Sequence, residues 1–229
     1  MLILGIDTAT QQVGCAIGGH EGVLASFQVA KGRRHAETLV PAIQFMCEKA
    51  RIELSEIGAV AVDVGPGLFT GLRVGVATAK AMASALRVPM VGVSSLDLLA
   101  FEVRWTSRRI VSVVDARRGE VFFAFYRQVP GGVQRLSEKR CGKPEELCSE
   151  IQATGEECLA VGDGALRYAD ALQDLIRVDL GDAGLAYPSP AALVQLAHAQ
   201  ALREQFVNSW DLQPVYLRKA DAEANWEKR

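Results

Sequence analysis

Two aspartates stand where chemistry could be done. Met1-Leu-Ile-Leu-Gly-Ile-Asp7 and Ile110-Val-Ser-Val-Val-Asp115 are apolar runs that each end in an acid. Carboxylates at strand ends can face a cleft and orient a metal-bound nucleotide. The same residues can instead cap their own hairpins through Asx-turn bonds. Thr8-Ala9-Thr10 lacks the glycine that lets a backbone close on a phosphate, which favours capping for Asp7. The stretch Val60–Lys80 offers a third possibility: an apolar strand, a Gly65-Pro66-Gly67 turn and a helix of small residues. Gly65 and Gly67 are free to take positive φ, Pro66 fixes its own, and Thr70 is placed to cap the helix. A helix N-terminus of this kind can cradle an anion. The third glycine of G-x-G-x-x-G is missing, however, and no G-x-x-x-x-G-K-[ST] occurs, so a structural turn is the better reading.

The remaining inventory is thin. His20, His35 and His198 share no metal-ligand spacing, and neither H-E-x-x-H nor G-x-S-x-G occurs. His20 reads as a solvated hairpin tip, His35 as a surface or interface residue and His198 as part of a late helix. The five cysteines form no C-x-x-C pair, which suits reduced thiols better than a disulfide framework. A net charge of −2 and a pI near 6.0 do not favour nucleic acid as a stand-alone ligand. The pairs Arg33-Arg34, Arg108-Arg109 and Arg117-Arg118 read as solvated corners. No basic segment precedes an apolar run at the N-terminus, and no apolar segment reaches about 18 residues, so a soluble cytoplasmic protein is expected.

The elements that would position these residues fall into two similar halves. Residues 1–7, 13–17 and 23–29 predict a three-stranded meander with Asp7 at its first turn. A helix follows with Leu39, Ile43 and Met46 on one face, where Pro41 predicts a kink or the start of its regular part. Residues 89–93 form a short strand, and Ser94-Ser-Leu-Asp97 fits a capping box for a helix to about Val103. At Ile110 the pattern of strand, acid and hairpin restarts. This predicts an internal duplication into lobes 1–105 and 106–229, with a late helix over 190–204 that can pack back on the first lobe and a mobile tail from Asp221. In the helix after Thr70, Leu72, Val76, Ala79 and Ala83 can face the sheet on one stripe, and Gly75 implies that another backbone approaches closely. Small residues remain on its other faces, and Phe45 lies off the main stripe of the preceding helix. An interface with another protein helix is favoured over cover by the chain itself.

Ile3–Thr10, Arg34–Pro41, Gly65–Gly75, Val114–Val121 and Pro214–Arg218, in this order, resemble the TsaB (YeaZ) family. The resemblance runs from the first strand to near the C-terminus. It implies an α/β, two-lobed actin-like fold of the sugar kinase and Hsp70 type, a duplicated ribonuclease H-like unit, in agreement with the repeat. It further implies a non-catalytic scaffold in threonylcarbamoyladenosine synthesis on tRNA, forming a homodimer alone and a heterodimer with the catalytic paralogue TsaD. The implied scaffold also helps recruit the ATPase TsaE, with TsaC acting upstream and tRNA met only through the complex. TsaD carries a metal-binding H-x-x-x-H in the stretch matching Val93–Leu99. Here Ser95 and Leu99 occupy those places, so neither metal nor cofactor is expected. Mapped by motif, the partner surface would draw on His35, Leu39, Ile43, Met46, Arg73, Gly75, Val76 and Lys80. Asp7 and Asp115 are weak cofactor candidates. The alternatives are an actin-fold ATP-dependent phosphotransferase using Asp7, or a metallopeptidase.

Overall fold

A computed structural model describes residues 1–30 and 35–218. The expected mobile tail from Asp221 and the Arg33-Arg34 corner lie outside the described residues. The first sheet contains β1 (Leu2–Asp7), β2 (Val13–Gly19), β3 (Gly22–Val29), β4 (Ile57–Gly65) and β5 (Met90–Ser94), in the order β3-β2-β1-β4-β5. β1, β2 and β3 form the antiparallel meander, while β4 and β5 run parallel to β1. Helix α1 (His35–Ala50) precedes β4, α2 (Phe69–Leu86) joins β4 to β5, and α3 (Ser95–Glu102) leads out of the sheet.

The second sheet repeats the plan with β6 (Arg109–Arg117), β7 (Glu120–Val129), β8 (Gly132–Arg135), β9 (Arg140–Gly142), β10 (Cys158–Val161) and β11 (Val178–Leu180). Its order is β11-β10-β6-β7-β8, with β9 added on β7. In each sheet, a strand ending in an acid pairs antiparallel with the next strand and parallel with a later one. That shared arrangement is the physical content of the duplication. Helices α4 (Pro144–Thr154), α5 (Asp163–Arg167), α6 (Ala169–Gln173) and α7 (Pro190–Ala201) complete the chain. No helix among the described residues is long and apolar enough to cross a membrane.

β1 is continuously apolar because both its faces are covered. On one side α1 and α2 place Leu39, Ile43, Met46, Val76 and Ala79 against Leu4, Ile6, Val60 and Val62. On the other, α7 sets Leu193, Val194 and Ala197 on Ile3, Ala16, Ala59 and Val91. Each fully buried Leu, Ile or Met contributes about 1.5–3 kcal/mol. α3 serves both lobes: Leu98 and Phe101 join the first core, and Leu96 and Leu99 join the core of the second sheet.

The turn after β4 is tighter, and used differently, than its glycines suggest. Gly65 takes φ +96° and precedes a cis Pro66, whereas Gly67 has no positive φ and is glycine for space. A Cβ there would strike the Ala9 carbonyl. The Leu68 amide donates to that same carbonyl at 2.7 Å. Leu68, not Thr70, holds the N-cap position, and Thr70 lies exposed in the first turn of α2. Thr70 is thus corrected as a cap: the chain enters the helix two residues too early for its hydroxyl to serve. The next two small positions receive the same loop. A Cβ at Gly71 would meet the Thr8 carbonyl oxygen, and one at Gly75 the Thr8 hydroxyl, which itself donates to the Gly71 carbonyl at 2.7 Å.

α1 is helical from His35 on both sides of Pro41. One further expectation changes. Ser94 occupies the N-cap of α3 but makes no side-chain cap bond, and the other half of the capping box is missing as well, because Asp97 is drawn elsewhere. Its Oδ1 accepts from the Tyr126 hydroxyl at 2.7 Å, and Arg135 and Lys139 pair with the same carboxylate, tying α3 to the second lobe.

The Thr8 contact predicts that Gly71→Ala destabilises the protein. The overpacking costs about 1–3 kcal/mol, although alanine gains about 1 kcal/mol in helix propensity. Ala77→Ser on the outer face should stay within about 0.5 kcal/mol. Urea unfolding measures both, and a Gly71→Ala protein as stable as the parent would contradict the packing.

Candidate functional site

β1 and β4 are parallel neighbours with Ile6 beside Val62, so their last acids, Asp7 and Asp63, end side by side. Asp7 Oδ1 accepts the Ala9 amide at 2.9 Å. Asp63 Oδ1 accepts the Gly65 amide and the Ser95 hydroxyl, both at 2.7 Å. Each Oδ2 is left without a donor, and both side chains are fully enclosed. Burial raises both carboxyls, Asp7 most strongly, and the Asp63 charge raises Asp7 further. A proton retained by Asp7 and shared with Asp63 would satisfy both. The sequence reading missed Asp63, yet the signal was the same as for Asp7: an apolar strand ending in an acid, Val60-Ala-Val-Asp63.

Asp7 lies under the loop that Leu68 and Gly67 press onto Ala9, with no exposed surface. It makes the Asx-turn bond and does not line an open cleft. Asp115 does the same in the second sheet, where its Oδ1 accepts the Arg117 amide at 2.9 Å. Its Oδ2 pairs with Arg117 at 2.9 Å and Arg167 at 3.3 Å. Among the described residues, no three of His, Cys, Asp and Glu group to hold a metal ion.

The partner-surface residues divide sharply. His35, Leu39, Ile43 and Met46 of α1, with Gly75 and Val76 of α2, are buried within this chain, which leaves them little surface to offer a partner. Periodicity identified the stripes, but the larger apolar stripe of each helix is claimed by the chain's own sheet. Gly75 is filled by Thr8, and the His35 Nε2 lies 2.9 Å from the Thr10 carbonyl, which pins α1 to the same turn. Arg73 is exposed and Lys80 half-buried.

The outward faces remain. α1 and α2 lie side by side, and α1 turns out Val40 and Phe45, 49% and 53% exposed. α2 turns out Phe69, Arg73, Ala77 and Ala81, which recur every four residues along one stripe. The Arg73 guanidinium lies 3.8 Å over the Phe69 ring, and Tyr216 stacks on that ring at 5.2 Å.

The shared proton gives the acid pair a pH signature. Unfolded, Asp7 titrates near its ordinary value of about 3.9; folded, it keeps its proton to higher pH. Its contribution is therefore full below about pH 4 and is lost as pH rises through the raised folded value. Asp7→Asn supplies a permanent donor to Asp63, so its unfolding free energy should fall less between pH 5 and 8 than the parent's. Asp7→Ala should cost about 1–3 kcal/mol, because it orphans the Asp63 oxygen. Identical pH profiles for parent and Asp7→Asn in urea titrations would rule out the shared proton.

The chain matches, over residues 28–226, a family model described as TsaD: tRNA N6-adenosine threonylcarbamoyltransferase. It is 31% identical to the tRNA threonylcarbamoyladenosine biosynthesis protein TsaB of Escherichia coli, an alignment covering 100% of this chain and 98% of that protein. Identity to the Bacillus subtilis protein of the same name is 27%, covering 99% and 98%. The solved structure of YeaZ from Pseudomonas aeruginosa superposes with a TM-score of 0.83 at 28% identity, covering 94% of this chain and 99% of that one. Matched along its length in sequence and in fold, the chain belongs to the TsaB (YeaZ) family of tRNA threonylcarbamoyladenosine biosynthesis proteins.

Proposed function

We propose that this chain is the non-catalytic, dimerising subunit of the machinery that builds threonylcarbamoyladenosine on tRNA. It pairs with the catalytic paralogue TsaD through the outward faces of α1 and α2, and the same faces join two copies when it is alone. TsaE is recruited to the assembled pair and TsaC supplies the activated group upstream. The reading draws on the TsaB relatives and, above all, on one observation: α1 and α2 leave Val40, Phe45 and Phe69 exposed beside the alanines of α2. Alanines permit close approach of a second helix pair, and exposed aromatics beside arginine are the anchors that protein interfaces favour. The enclosure of Asp7 and the arginine pairing of Asp115 support the absence of a reaction centre here.

Phe45→Glu or Ala77→Glu should weaken pairing with TsaD by about tenfold or more, since each places an unpaired charge in the proposed contact. Both variants should remain folded, because both positions are exposed. Val76→Glu should instead unfold the chain, its side chain being part of the core. Calorimetric titration of the subunits, with circular dichroism on each variant, separates these outcomes. Full-strength pairing by folded Phe45→Glu and Ala77→Glu variants would dismiss this surface.

A further inference from the structure

The hairpin between β6 and β7 holds two arginines in a conformation that residues with a Cβ avoid. Arg117 (φ 64°) and Arg118 (φ 57°) are both left-handed, ahead of Gly119 at φ 78°. The tip is fixed there from several directions. The Arg117 amide donates to Asp115 Oδ1, and the Arg218 guanidinium donates to the Ala116 carbonyl at 2.7 Å and the Arg117 carbonyl at 3.4 Å. Arg218 also pairs with Glu120 at 3.0 Å. Arg118 and Gly119 are the two central residues of a two-residue hairpin, which favours positive φ at both, and Arg117 lies at the register shift beside them.

Its result is an unusual charge arrangement. Arg117 Nη1 lies 2.9 Å from Asp115 Oδ2, and Arg167 Nη1, from α5, lies 3.3 Å from the same oxygen. One carboxylate thus holds two guanidinium groups. The acid is inside, its side chain 3% exposed, while those of Arg117 and Arg167 are 34% and 53% exposed. The neighbouring acid, Asp163, is turned to the Asp115 amide at 2.9 Å and does not meet either guanidinium in a salt bridge among the described residues. Each guanidinium carries five N–H donors; Asp115 meets one Nη1 of each, and Arg167 also lies over the Tyr168 ring.

We propose that Arg117 and Arg167 form a contact for a phosphodiester of the RNA backbone, with Asp115 as the buried anchor that converges them. The inference rests on the reading of this chain as part of a tRNA-modifying complex. A phosphate oxyanion can be met by both guanidinium groups in the bidentate geometry that guanidinium offers phosphate. A metal-bound nucleotide is the poorer occupant, because both Asp115 oxygens are already engaged by donors and none is left for the metal.

The test uses the chain assembled with TsaD and fluorescently labelled tRNA, with anisotropy read over a series of salt concentrations. Arg117→Asn keeps a residue that tolerates the left-handed backbone, Arg167→Gln is its exposed counterpart, and Arg127→Gln on β7 is the control. The double variant should bind about tenfold or more weakly. Its log–log salt slope should be shallower by roughly 0.7–0.9 for each arginine removed. The control should match the parent. Unchanged affinity and slope in a folded, correctly paired double variant would overturn the contact while leaving the proposed function standing. Competition by ATP-Mg that vanishes in the double variant would reassign the arginines to a nucleotide and overturn it as well. An assembled pair that binds no tRNA at all would remove the functional reading, and this contact with it.

Discussion

The turn Thr8-Ala9-Thr10 sits in a channel left by Gly67, Gly71 and Gly75, and much of the first lobe follows from that fit. The Thr8 hydroxyl caps the Gly71 carbonyl, the Ala9 carbonyl receives the Leu68 amide, and the Thr10 carbonyl meets His35. Three consecutive residues therefore fix the start of α2, the depth at which it lies on the sheet and the first turn of α1. Asp7 underwrites the arrangement by holding the Ala9 amide, while burial and the neighbouring Asp63 carboxylate raise its own pKa. Because the inner faces of both helices are consumed here, only the outer faces are available to another protein.

Much of this was legible in the sequence, and the remainder has identifiable physical reasons. Apolar runs ending in Asp7 and Asp115, each followed by a returning strand, revealed the duplicated architecture, since a strand covered on both faces is apolar throughout. Proline after serine located the start of α7. The orientation of the small-residue stripe was beyond reach, because periodicity reports which residues share a face and not what covers it. Gly75 was read as a place where another backbone approaches closely, but its neighbour is the Thr8 side chain, 67 positions earlier in the chain, and no local pattern names it. The pairing of Asp7 with Asp63 was hidden for the same reason: it depends on β1 and β4 being adjacent. Thr70 failed as a cap because the contact of Leu68 with Ala9 starts the helix early.

The two lobes are tied together at several points. Asp97 of α3 gathers Tyr126, Arg135 and Lys139 from the second lobe. Gln12 donates to the Pro188 carbonyl at 2.8 Å, and the Ser189 amide donates to Glu102 at 2.7 Å. The C-terminal segment runs across the junction: Leu212 enters the first core, Val215 donates to Val64, Leu217 packs on the second core and Arg218 grips the β6–β7 hairpin. Tyr216 on this strap stacks against Phe69 at the start of α2. The proposed partner face and the arginine hairpin are thus ends of one continuous packed path, which suits a component that holds other molecules in register.

The central claim is that this protein acts through the outer surface of α1 and α2 and not through its acids. Amide hydrogen exchange across the whole chain, with and without TsaD, tests it most directly. The account predicts added protection over residues 36–50 and 69–86, with little change at the Asp7–Thr10 turn, which is already closed. Protection concentrated at the acid-bearing turns, with the outer helices exchanging as before, would contradict it.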